Sequence, residues 1–178
     1  MDFTEKTKKE NLIFDGKILH LYKDDIILPN GHPAFREYIR HQGAVCVVPV
    51  TGDGDVILVE QYRYPLQKVT LEVPAGKLDP GETPEEGARR ELEEETGLHG
   101  GVLRPIGELY TSPAILTEVI HMYIATGFTN GEQHPDEDEF VRIVKKPLRE
   151  VVDGILRGDI RDAKTQAAIL KTAMLLQK

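Results

Sequence analysis

Residues 76–98 read GKLDPGETPEEGARRELEEETGL, and the second half of this stretch predicts a helix over 84–96. Thr83 suits its N-cap, Pro84 its first position, Glu86 completes a capping box, and Gly97 is the stop. Four acids, Glu91, Glu93, Glu94 and Glu95, crowd its C-terminal half, where the helix dipole disfavours negative charge. Glu91 and Glu95 also repel at i, i+4, and Arg90 offsets part of this through Glu94. A helix shaped for stability alone would carry these acids at its other end, and such unrewarded conflicts mark functional sites. At about 3.6 residues per turn, Glu91, Glu94 and Glu95 share an arc of roughly 100°, while Glu93 points elsewhere. Three carboxylates on one stripe suit a hard cation with oxygen ligands. Magnesium prefers such ligands, keeps several waters and is commonly shared with substrate phosphates. The competing reading is a charged face in solvent.

The loop before the helix, PAGKLDPGE over 74–82, has two glycines and two prolines. It lets backbone approach a ligand and sets the entry angle. Working outward, 17–23, 25–28 and 35–40 read as short strands, with Asn30-Gly31 as a turn. The continuous apolar run 44–50 reads as a buried strand. Thr51 to Gly54 make a hairpin turn into a strand over 56–62. No helix follows those glycines, so they are not read as a phosphate loop. Strands are expected over 103–109, 119–125 and 140–144, and amphipathic helices over 148–156 and 163–176. The order predicts an α+β chain: a mixed sheet covered by helices on both faces. A small antiparallel β subdomain is expected over 1–42, and the main domain over 43–178.

With 178 residues and a formal net charge of −8, the chain has room for one domain and a small appendage. Composition is ordinary for a soluble protein. No apolar run is long enough to cross a bilayer, and the first ten residues lack the apolar core of a secretory signal. No basic stripe suits nucleic acid. The single cysteine, Cys46, lies in the run 44–50 and reads as a small buried hydrophobe rather than a nucleophile. One cysteine permits no internal disulfide, which suits the cytoplasm. Net acidity combined with an anionic substrate would call for bound divalent cations. The six histidines show no metal-binding spacing and read as structural or surface residues.

Gly76, Glu82, Arg90, Glu91, Leu92, Glu94, Glu95, Gly97 and Leu98 match, at every specified position, the signature of the Nudix hydrolases, which this chain therefore resembles. The resemblance implies a mixed sheet between helices and cleavage of a diphosphate in a nucleoside diphosphate linked to another group. It also implies a divalent cation, Mg2+ with Mn2+ as substitute, that neutralises the diphosphate, holds it in line and lowers the pKa of bound water. Glu91 and Glu95 would be principal ligands, Glu94 a further ligand or water organiser, and the Ala75 carbonyl a backbone ligand. Arg90 would orient the glutamates, and Glu82 would support the loop and the metal shell.

Further stretches resemble the ADP-ribose pyrophosphatases within that family. Ser112-Pro113 resembles their proline marker, although Ala114 stands where they commonly have glycine. EQYR over 60–63 resembles the segment that sets an arginine, here Arg63, on the substrate diphosphate. Arg36-Glu37 resembles the pair near the adenosine end, and GDIRDAKT over 158–165 the start of their last helix. The implied substrate is ADP-ribose, with another nucleotide sugar or a dinucleotide, such as GDP-mannose or NADH, as the alternative. A non-catalytic ADP-ribose sensor is disfavoured because such domains commonly lose the glutamates retained here. The resemblance further implies a homodimer exchanging its N-terminal strands, so that both chains line one adenosine pocket.

Each residue has a structural alternative. Arg63 could lie on a strand surface, Arg36 and Glu37 could form an exposed cross-strand pair, and Pro113 could be a plain turn proline. Tyr22 and Phe35 could stack on adenine, but core packing is the preferred expectation for both. The general base is sought in GEQHPDEDE, 131–139, where the subfamily carries a catalytic glutamate on a mobile loop. Glu137 is favoured over Glu139, with Glu118 as rival.

Overall fold

The computed structural model describes residues 2–134 and 140–177, and the chain divides into two compact units. The first comprises 1–42 and 110–118, the second 43–109 and 119–178. The first unit therefore includes a segment that sequence spacing places in the main domain.

In the first unit, β1 (Lys6–Lys9) and β2 (Leu12–Asp15) pair successively along one edge of β3 (His20–Ile27). β4 (Pro33–Arg40) pairs antiparallel along the other. β3 is one strand where two were expected, 17–23 and 25–28. Asp24, the polar residue that suggested a break, is buried and accepts hydrogen bonds from the Asn11 amide (3.1 Å) and the Tyr38 hydroxyl (2.9 Å). These hydrogen bonds offset the cost of burying it within the strand. The Asn30-Gly31 turn forms, Gly31 N donating to Leu28 O. Segment 110–118 joins the unit through Ile39, whose amide donates to Ile115 O and whose carbonyl accepts from Thr117 N.

The second unit carries β5 (Ala44–Pro49), β6 (Asp55–Arg63), β7 (Lys68–Glu72), β8 (Ala75–Lys77), α1 (Pro84–Thr96), β9 (Leu98–Tyr110), β10 (Val119–Asn130), β11 (Arg142–Pro147), α2 (Leu148–Arg157) and α3 (Ala163–Leu176). One sheet has the order β8-β5-β10-β9, the other β11-β6-β7. The first is mixed: β5 runs parallel to β10 and antiparallel to β8. Every residue of β5 is buried, as its unbroken apolar run requires. Alternate side chains separate onto two faces. Val45 and Val47 pack with Ala88 and Leu92 of α1, while Cys46 and Val48 pack with Val151, Ile155, Ala168 and Ile169 of α2 and α3. The expected α+β arrangement, mixed strands between helices, is what forms.

α1 has the expected bounds. Its capping box closes, Thr83 Oγ1 accepting from Glu86 N while Glu86 Oε2 accepts from Thr83 N (2.9 Å). β1, β2, β7 and β8 were not expected; the glycine- and proline-rich loop masks β8, which pairs with Ala44, Val45 and Cys46. β9 and β10 run longer than expected. The strand expected over 140–144 instead spans Arg142–Pro147, because its register on β6 begins at Arg142 opposite Glu60. Phe140 lies outside it and is exposed. Among the described residues no helix is long and apolar enough to cross a membrane.

Candidate active site

Two carboxylates of α1 face β8. Glu91 and Glu95 are 8% and 2% exposed, which is unusual for acids unless they are held or bind cations. Glu95 Oε2 accepts from the Ala75 amide at 2.9 Å. The Glu91 carboxylate lies where a side chain on residue 76 would begin: a Cβ there would overlap its oxygens. Gly76 is thus required for close approach rather than for an unusual backbone angle. Glu93, as its helical angle predicts, is exposed.

Arg90 organises the acids. Its Nη1 donates to Glu91 Oε1 (2.7 Å) and Glu94 Oε2 (2.9 Å), and its Nε and Nη2 clamp both Glu82 oxygens (2.9 Å each). Nη2 also donates to the Lys77 carbonyl (2.9 Å). Hydrogen bonding to these carboxylates, Glu82 foremost, raises the Arg90 pKa against the opposing effect of burial. The same arginine, foremost, lowers that of Glu82. Glu82 also accepts from Asp79 N (2.9 Å), tying the loop to the helix. Glu82, Glu91 and Glu94 gather on Arg90, and Glu95 lies beside Ala75; carboxylate oxygens of this kind are the ligand type a hard divalent cation takes. Among the described residues no group of three or more His, Cys, Asp or Glu side chains is arranged to hold a metal ion by itself. Magnesium typically takes only one or two carboxylates from protein and completes its shell with water and phosphate oxygens.

A second network adjoins this strand; it contains Arg63, a candidate from the sequence, and centres on Glu72, which the sequence did not single out. Glu72 is 1% exposed. Its carboxylate accepts from Arg63 Nε (2.8 Å) and Nη2 (2.7 Å), from Thr70 Oγ1 and from Lys164 Nζ. Burial alone would raise its pKa, but Arg63, Lys164 and Thr70 outweigh burial and hold it at about 2. Lys164 also reaches Asp162 (3.1 Å), the N-cap of α3. One sequence clue existed, a lone acid in the otherwise β-like run KVTLEV. Its partners, nine and 92 positions away, gave no local signal.

The sequence from residue 40 to residue 166 matches the NUDIX domain. The chain belongs to that family. A Bacillus subtilis ADP-ribose pyrophosphatase is 43% identical to this NUDIX chain over 180 residues, covering 98% of this chain and 97% of its own length. A Bacillus methanolicus methanol dehydrogenase activator is 44% identical over 169 residues, covering 94% and 91%. Among solved structures, an ADP compounds hydrolase superposes with a TM-score of 0.88 at 23% identity, covering 99% of this chain and 97% of that one. At that identity the likeness shows a shared fold. The NUDIX signature residues are thus the ones gathered at α1 and β8.

The remaining sequence candidates lie in the first unit or outside the described residues. Arg36 pairs with Glu5, and Glu37 with Lys23 at 3.4 Å. Pro113 is exposed beside Ser112, whose carbonyl accepts from Ile115 N and Leu116 N. Glu118 accepts from Thr111 Oγ1 (2.7 Å) and lies 3.7 Å from His41 Nε2. Tyr22 stacks on Tyr38 with centroids 5.4 Å apart, under the Arg40 guanidinium. Phe35, expected in a core, is exposed with the Lys23 ammonium over its ring, because this thin sheet has little interior to offer. Glu137 and Glu139 lie outside the described residues. Cys46 is fully buried, and burial pushes its thiol up to about 12; it is inert packing, as expected.

Proposed function

We propose that this chain hydrolyses the diphosphate of ADP-ribose, adding water across the P–O–P bridge to give AMP and ribose 5-phosphate. The observation that carries this reading is the pair of buried carboxylates, Glu91 and Glu95, set against Ala75 and Gly76 with Arg90 bracing the cluster. The near full-length likeness to a chain named ADP-ribose pyrophosphatase supports the choice of substrate. Glu91, Glu95 and the Ala75 carbonyl would hold Mg2+, or Mn2+ in its place, with Glu94 as a further ligand or an organiser of water. Such an ion, when bound, neutralises the diphosphate and lowers the pKa of water at the site. Arg90 keeps the carboxylates apart and aimed, and Arg63 takes diphosphate oxygens. Arg36, Glu37, Pro113 and Glu118 belong to substrate binding in this reading.

Glu137 is the proposed general base, with Glu139 and Glu118 as competitors. Turnover and Mn2+ affinity of Glu137→Gln, Glu139→Gln and Glu118→Gln separate them. The base is the residue whose loss lowers turnover by about 10²–10⁴-fold without weakening metal binding. The working form is proposed to be a cytoplasmic homodimer built on the N-terminal strands. In support, Leu12, Ile13, Phe14, Ile18, Leu19 and Phe35 of the N-terminal unit are exposed, apolar surface that a second copy could cover.

Competitive assay of ADP-ribose, GDP-mannose and NADH tests the substrate. The expected result is the highest kcat/KM for ADP-ribose. A clear preference for either of the others would overturn the choice.

A further inference from the structure

Glu72 ends β7, two residues before the Pro74-Ala75 step into β8. A carboxylate this deeply buried persists only when its oxygens are fully engaged, and here two cations and a hydroxyl engage them. The Arg63 side chain is 40% exposed. Its Nε and Nη2 are spent on Glu72, while its Nη1 makes no hydrogen bond among the described residues. A two-point clamp on a planar guanidinium fixes both position and plane, which a single contact would not. From its other side Glu72 is held by Lys164 at the start of α3. The next amide, Val73 N, donates to Thr165 Oγ1 at 3.0 Å. Two residues on, Ala75 N donates to Glu95. One short stretch of backbone therefore carries both the arginine clamp and a contact to Glu95, a proposed metal ligand.

We infer that Glu72 is a positioning residue. It sets the plane of Arg63 so that the free Nη1 edge meets phosphate oxygens of a nucleoside diphosphate, and Lys164 holds Glu72 in place for that purpose. This rests on the reading of Arg63 as a diphosphate ligand. Substrate alignment is sensitive to such settings: a displacement of about 1 Å can lower kcat/KM about 100-fold.

The test is a double-variant cycle of Arg63→Ala and Glu72→Gln. It measures KM and kcat for ADP-ribose, Kd for ADP by calorimetry, and Kd for Mn2+. Each single variant is expected to raise KM and weaken ADP binding by about 10- to 100-fold, with a smaller change in kcat and unchanged Mn2+ affinity. The double variant is expected to be no worse than Arg63→Ala alone, because residues acting through one another do not add. A purely structural Glu72 would instead give additive losses or weakened Mn2+ binding, and either result overturns the inference, as does wild-type KM and ADP affinity in Glu72→Gln. If Glu72→Gln does not fold, Glu72→Asp, which keeps the charge and withdraws the carboxylate, is judged by the same outcomes. The ADP measurement keeps the role of Glu72 testable even if the enzyme proves to prefer another nucleoside diphosphate derivative. Failure of the substrate reading and failure of this inference thus remain distinct.

Discussion

Glu91 and Glu95 occupy positions that helix energetics disfavours, at the negative end of the dipole and one turn apart. Replacing either by Gln keeps shape and removes charge. Glu91→Gln and Glu95→Gln are each expected to lower turnover by about 10²-fold or more, since a metal's transition-state contribution is several kcal/mol. Melting temperature should hold or rise slightly. Near-normal turnover at saturating Mg2+ in both variants would refute their assignment as ligands. Glu72 makes a different prediction. Its carboxyl is held at about 2 rather than the ordinary 4.5, so its folded pKa is depressed. The stabilisation is therefore complete above about pH 4.5 and is lost as pH falls toward 2. Denaturant midpoints across that window should show wild type losing on the order of 2 kcal/mol more than Glu72→Gln, allowing for the half-exposed Arg63; parallel curves would contradict this. The clustered acids of α1 were legible because their conflict with the helix is local. Glu72 was not, because its meaning comes from a distant lysine and a neighbouring strand.

At the level of elements, α1 has to end cleanly although its last turn is acidic. Gly97 takes a left-handed φ of 70°, and its amide donates to Glu93 O (2.7 Å). A Cβ there would come 2.6 Å from Gly131 O. The segment around 131–134 supplies two more caps: His134 N donates to Glu94 O (3.0 Å) and Gln133 Nε2 to Glu95 O (2.6 Å). This satisfies carbonyls that a helix end otherwise leaves open. Gln133→Ala is expected to cost about 1 kcal/mol, seen as a lower denaturant midpoint at unchanged slope. An unchanged midpoint would show that the contact contributes nothing. The helix bounds were readable from Thr83, Pro84, Glu86 and Gly97, because capping is local chemistry. The partners of its C-terminal carbonyls were not, since they come from a stretch whose composition reads only as an acidic loop. The lost strands share this cause. β8 hides in a Gly/Pro-rich loop because its pairing on β5, not its propensity, makes it a strand. β3 looked interrupted because Asp24 finds partners only after folding.

The whole molecule consists of two units of unequal self-sufficiency. The second buries two apolar clusters on either side of β5. In the first, Ile26 stands alone among the apolar residues described as fully buried, and so small a sheet needs added cover for stability. Sedimentation is accordingly expected to give a dimer at micromolar concentration. Leu12→Lys and Phe14→Lys together should shift it toward monomer, and a fully active, concentration-independent monomer would remove the dimer from the account. The central claim is cation-dependent hydrolysis at the α1 carboxylates. Its most direct measurement is product analysis of ADP-ribose incubated with the protein, with Mg2+ and with chelator. AMP and ribose 5-phosphate in equal amounts, formed only with the cation, is the predicted result; other products, or the same products under chelation, would contradict it.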